Sequence, residues 1–187
     1  MKEALQKGMK ICFADETVFT KNTLPRMAYA AKGKNISVNM KDLQGVYRSA
    51  LVAISTDGKI EHMKVTEKAI NAKKYISFLK KLRKKLKKEK FCLFVDNLRV
   101  HKTVAVMKVY HDLKIIPIFN ETYAPNYNPI ETIFGQIKRA YKTQRLNKLV
   151  NGRIVNDDEL IRQVFNQVKS EAILNAIRGS LSLLKAI

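Results

Sequence analysis

Three acidic residues stand in settings that suit divalent-cation chemistry. Asp15 follows Ile11-Cys12-Phe13-Ala14, and Asp96 follows Phe91-Cys92-Leu93-Phe94-Val95. Glu131 closes the stretch Ala124-Pro125-Asn126-Tyr127-Asn128-Pro129-Ile130-Glu131. The first two end short apolar runs of strand formers. The third reads as lying just inside a helix, with Asn128 as N-cap, Pro129 at the first helical position and Glu131 at the third, a capping-box variant. Mg²⁺ takes hard oxygen ligands and keeps several waters, so a few carboxylates plus a substrate phosphate suffice to hold it. Two such ions about 4 Å apart can activate a nucleophile and stabilise the leaving oxygen of a phosphodiester displacement. Taken singly, each acid has an ordinary structural role: strand end, turn or helix cap. Taken together on a basic chain, Asp15, Asp96 and Glu131 are expected to hold a pair of Mg²⁺ ions, with Mn²⁺ as the substitute.

Ligands of this kind must converge from separate elements, and the hydrophobic pattern supplies them. Residues 9–14 are an apolar run, and 25–31 and 35–39 are weaker strand candidates. Residues 45–55 and 59–65 flank Thr56-Asp57-Gly58, where Asp-Gly signals a hairpin. Over 71–88 the period becomes helical, with Tyr75, Phe78, Leu79, Leu82 and Leu86 on one stripe. A strand at 91–95, a helix at about 103–112, a strand at 114–119, a helix from 129 to about 145 and two helices within 157–186 complete the chain. Strands followed by β-α-β-α crossovers predict an α/β fold, a mixed sheet covered by helices in the RNase H-like order. In open sheets of this kind, functional groups gather at the carboxyl ends of strands, where Asp15 and Asp96 are expected to fall.

Composition bounds the partners. A chain of 187 residues with 46% hydrophobic content can bury one core, so residues 1–187 are expected to form a single domain. Lys and Arg number 36 against 16 Asp and Glu, a formal charge of +20 that favours a polyanion. No stretch approaches the roughly 18 consecutive apolar residues of a spanning helix, and Met1–Lys10 lacks a signal-peptide core, so no membrane partner is expected. Cys12 and Cys92, each inside an apolar run, read as buried thiols of a reducing compartment. An intracellular site follows: the nucleus in a eukaryote, the cytoplasm or nucleoid in a bacterium. His62, His101 and His111 show no ligand spacing with the cysteines, which argues against zinc.

The helix after Glu131 carries its own signal. At 100° per residue, Lys138, Lys142 and Arg145 lie roughly 20–40° from Glu131 around the axis. Ile130, Ile133, Phe134, Ile137 and Tyr141 cluster beside them as a core stripe. A basic track for nucleic acid is therefore expected beside the acids, and Gly135 on that face leaves room for a phosphate. Lys80 through Lys88 is a second basic run, readable as a solvated helix face, a nuclear localisation signal or a nucleic-acid patch. Tyr123 and Tyr127 read as loop packing or as stacking platforms for a base. The apolar tail Ala172–Ile187 reads as a sheet cover or a subunit contact.

Phe13-Ala14-Asp15-Glu16-Thr17, Val95-Asp96-Asn97 with His101, and Pro125 through Glu131 with Gly135 and Lys138 resemble the three blocks of the Tc/mariner superfamily transposases and their bacterial insertion-sequence relatives. Thirty-four residues separate Asp96 from Glu131 (131 − 96 − 1 = 34), the spacing of the branch whose third acid is Glu. The resemblance implies a DDE catalytic domain that cleaves DNA and transfers the freed strand. In it Asp15, Asp96 and Glu131 are the metal-binding triad, and Asn97 and His101 support the second aspartate. It also implies DNA as partner and a homo-oligomer or larger nucleoprotein complex. Phe134 stands where the family usually has Trp. The helix-turn-helix region that precedes the first acid in the family is not expected here, since Asp15 lies close to Met1. Two rivals follow: an inactive domain recruited as a structural subunit on RNA or DNA, and a non-transposing nuclease of the same fold, such as a ribonuclease H or a junction resolvase.

Overall fold

The structure is a computed structural model that describes residues 8–20, 32–33, 37, 47–87, 89–121 and 127–185. Five strands form one sheet: β1 (Lys10–Thr20), β2 (Tyr47–Ser55), β3 (Lys59–Thr66), β4 (Phe91–Val95) and β5 (Ile116–Phe119). The helices are α1 (Ala72–Leu86), α2 (Val104–Asp112), α3 (Ile130–Val150), α4 (Asp157–Asn166) and α5 (Ser170–Lys185), with a 3-10 turn at Arg99–Lys102. The strand order is β3-β2-β1-β4-β5. β1 pairs antiparallel with β2 and parallel with β4, and β4 pairs parallel with β5. This is the mixed, helix-covered sheet that the pattern predicts. The two weak strand candidates at 25–31 and 35–39 lie outside the described residues, Ser37 apart.

Strand pleating divides the core in two, because successive side chains point to opposite faces. Ile11, Phe13, Val52, Ile54, Cys92 and Phe94 face α3, α4 and α5. Cys12, Ala14, Leu51, Ala53, Leu93 and Val95 face α1 and α2. The cysteines show what this parity does. Cys92 sits opposite Ile11, one register position from Cys12, yet the two thiols are buried on opposite faces and both are free.

Local chemistry sets the element boundaries. Asn71 and Thr103 accept from the backbone N–H groups of Lys74 and Val106, capping α1 and α2. In the hairpin between β2 and β3, Gly58 adopts φ +73° and lies against α5; a Cβ there would stand 3.0 Å from Leu174 Cγ and 3.1 Å from the Ser170 carbonyl. The α5 residues Ile173, Ala176 and Ile177 are buried in the core, so the apolar tail covers the sheet.

Two expectations need correction. The first strand does not end before Asp15. It runs on to Thr20, because β2 pairs with it from Cys12↔Ser55 through to Thr20↔Tyr47 and holds the stretch past Asp15 and Glu16 extended. The second concerns Arg145. The helix after Pro129 extends to Val150, and Arg145 is only 4% exposed. Its Nε lies 2.8 Å from Asp157 Oδ1, which also accepts from the Tyr141 hydroxyl. The first turn of α4 carries Asp157, Asp158 and Glu159, acids suited to a helix N-terminus. Asp157 draws Arg145 inward, and Asp158 pairs with Arg48 of β2. Arg145 therefore joins the stripe of Ile137 and Tyr141 and is no part of an exposed basic track.

Candidate active site

Asp15 lies on the α3 face of the sheet, two residues beyond Phe13, where the β1–β4 parallel ladder stops at the pair Phe13↔Phe94. Asp96 directly follows Val95, the last residue of β4, and its charge is felt at Asp15. The two acids are thus neighbours across the strand ends. Glu131 is exposed in the first turn of α3, the helix that covers this face.

Asp15 is the buried member, 8% exposed. Its Oδ1 accepts from the Glu16 backbone N–H at 2.7 Å, and its Oδ2 accepts from Asn128 Nδ2 at 2.8 Å. Burial pushes its carboxyl up to about 7. The Glu16 N–H works against that shift, the charges of Asp96 and Glu131 add to it, and His101 also opposes it. The three acids therefore sense one another, and the cluster gains from a cation.

Asp96 is braced from the other side of the sheet. His101 is 4% exposed in the 3-10 turn, and its Nδ1 lies 2.7 Å from Asp96 Oδ1, a close contact without hydrogen-bond alignment. The imidazole packs on Tyr75 of α1, with ring centroids 4.4 Å apart. Tyr75 and Tyr110 share a hydroxyl–hydroxyl hydrogen bond of 2.8 Å, which ties α1 to α2 beneath the site. Asn97 is exposed, and its side-chain oxygen accepts from Lys102 Nζ, itself 4.7 Å above the Phe119 ring. On α3, Lys138 and Lys142 are half-buried, and a Cβ at Gly135 would meet nothing within 4 Å, so that face is open.

The donors are hard oxygens, as Mg²⁺ or Mn²⁺ requires. Among the described residues no group of three or more His, Cys, Asp and Glu side chains stands ready as a metal cage. Two participants escape sequence reasoning. Tyr75 reads as a core residue, and Asn128 reads as a helix cap; neither pattern shows which partner a tertiary contact supplies.

A family model described as "DDE superfamily endonuclease" matches residues 10–150. The chain belongs to the DDE superfamily endonucleases. The match takes in all three acids of this DDE chain. No curated protein sequence matches it. Among solved structures, the Mos1 transposase paired-end complex with left transposon end superposes with a TM-score of 0.73 at 16% identity, over 98% of this chain and 56% of the other. The Mos1 transposase catalytic domain solved with raltegravir and Mg gives 0.66 at 16%, over 95% and 82%. A simian T-cell lymphotropic virus intasome gives 0.58 at 13%, over 83% and 46%. At these identities the likeness is one of fold, and the DDE chain spans about half the length of the full transposase chains it matches.

Proposed function

We propose that this chain is the catalytic domain of a Tc/mariner-type transposase, which cuts a DNA strand at an element's end and joins the freed 3′-OH to target DNA. What supports this reading is that Asp15 lies beyond the end of the β1–β4 ladder, Asp96 directly follows β4, Glu131 stands in the first turn of α3, and Asp15 feels the charges of both other acids. Bound divalent cations, taken here as two Mg²⁺ with Mn²⁺ as substitute, supply Lewis acidity to the attacking and leaving oxygens. Asp15, Asp96 and Glu131 are the residues that would hold them. His101 would hold the rotamer of Asp96 through its 2.7 Å contact, and Tyr75 would hold His101 by packing against its ring. Lys138 and Lys142 lie along the open face of α3 and would bind the phosphates flanking the scissile bond. The formal charge of +20 supports DNA as the partner, as do the transposon ends present in a complex of the same fold.

The test is cleavage and joining on plasmid DNA with Mg²⁺ or Mn²⁺. Wild-type protein is expected to nick DNA and join the 3′-OH product to a second duplex. Asp96→Asn, a neutral ligand of about the same shape, is expected to fold normally and lose at least a hundredfold in rate. Nicking without joining would point to a hydrolytic nuclease. Full activity in Asp96→Asn would remove that residue from the mechanism.

A further inference from the structure

Asn128 does not cap the helix it precedes. The N-cap position of α3 is Pro129, with no side-chain hydrogen bond to the helix. Asn128 is instead 3% exposed, and its Nδ2 reaches 113 positions back along the chain to Asp15 Oδ2 at 2.8 Å. Its own backbone carbonyl accepts from the Glu131 N–H at 3.2 Å. Its Oδ1 is buried with no hydrogen-bond partner among the described residues. Leaving a buried carbonyl unpaired is costly, and capping α3 would have been the cheaper use of this side chain. The contact with Asp15 holds it away from that use.

We infer that Asn128 is a positioning residue that presents the Asp15 carboxylate to a divalent cation and ties it to the first turn of α3, where Glu131 stands. This rests on the reading of Asp15, Asp96 and Glu131 as metal-binding residues. Asp15 feels repulsion from Asp96 and Glu131, which favours rotation of its carboxylate away from them. Two N–H donors oppose that rotation, Glu16 on Oδ1 and Asn128 on Oδ2, and leave the remaining lone pairs for a cation. A neutral amide suits the task. Lys or Arg in its place would neutralise the carboxylate and compete with the cation, and Asp or Glu would add to the repulsion. The Asn128 carbonyl also opens the helix that carries Glu131, so one residue sets the first and third acids relative to each other.

The test measures Mn²⁺ binding directly, by the free-ion electron paramagnetic resonance signal, beside DNA cleavage and thermal melting. Asn128→Leu keeps the volume and lacks the donor; Asn128→Ser keeps a small donor and serves if the leucine variant does not fold. Hydrogen-bond partners of metal ligands typically contribute 10–100-fold to affinity. The leucine variant is therefore expected to bind Mn²⁺ at least tenfold more weakly and to need proportionally more Mn²⁺ for half-maximal cleavage, with most of the rate restored at saturation. The serine variant is expected to fall between it and wild type. A lowered melting temperature with unchanged Mn²⁺ affinity would make Asn128 a packing residue only and overturn the inference. Asp15→Asn is the control. If it abolishes Mn²⁺ binding while both Asn128 variants bind normally, only the inference fails. If Asp15→Asn itself binds and cleaves as wild type, the metal-site reading fails with it.

Discussion

Asp15 is held where its charge is least welcome. It is buried, it feels the charges of two other acids, and its carboxyl is pushed up to about 7 despite two N–H donors, so at neutral pH the carboxylate carries a net cost there. Asp15→Asn removes the charge and keeps the shape. In chelator at pH 8 the variant is expected to melt a few degrees above wild type, at about 2–4 °C per kcal/mol for a chain of this size, while losing cleavage. A scanning calorimetry trace showing a lower melting temperature would mean that the carboxylate is satisfied without a cation. His101 belongs to the same scale. It touches Asp96 and Tyr75, and in the proposed site its part would be to orient an acid.

At the scale of elements, α1 and β3 form a second electrostatic system. Within α1, Lys73, Lys74, Lys80, Lys81, Arg83, Lys84 and Lys85 stand without an acidic residue. Below them His62 of β3 is 9% exposed, stacks on Phe78 with centroids 4.9 Å apart, and has no partner for Nε2 among the described residues. Burial, followed by the charges of Lys85, Lys81 and Lys64, lowers its pKa to about 4. The folded state thus refuses a proton that the unfolded chain accepts near 6.5. Its contribution to stability is present above that value and is lost as pH falls from about 6.5 to about 4. Asp15 acts in the opposite sense, since its folded pKa is raised and its cost is relieved as pH falls from about 7. Comparing urea midpoints of wild type and His62→Gln between pH 7 and 4 isolates the histidine: the wild-type midpoint should fall more steeply. NMR titration of Lys81→Gln/Lys85→Gln should place the His62 pKa above that of wild type.

Across the whole molecule, charge divides into cations that hold the fold and cations free to meet phosphate. Arg145 belongs to the first group, buried against Asp157. Arg145→Ala strands that carboxylate and should cost roughly 3–5 kcal/mol, measured by urea unfolding. We propose Lys138 and Lys142, half-buried on α3, for the second. Replacing both with alanine should leave the fold intact and flatten the slope of log K against log salt by about 2 units on duplex DNA, equally for unrelated sequences. An unchanged slope would place the duplex along α1, where the cations have no acidic neighbour on their own helix. Among the described residues no helix is long and apolar enough to cross a membrane.

The order of the described strands and helices, the core stripes of α1 and α3 and the hairpin at Gly58 were legible in the chain, and the acids proposed for the site were picked out there. Each rests on local information, such as period, turn chemistry and residue type at a strand end. Tertiary structure alone decided the fate of Arg145 and Asn128. At 100° per residue Arg145 sits at the border between the polar face and the core stripe, and only the acidic first turn of α4, packed alongside, draws it inward. Asn128 carries the sequence signature of a cap, yet an amide donates wherever a carboxylate is near, and folding brings Asp15 to it from 113 positions away. The length of β1 has the same origin. The acids Asp15 and Glu16 interrupt its apolar pattern, and the ladder with β2 carries the strand through them to Val18 and Phe19 and leaves Asp15 in mid-strand on the covered face.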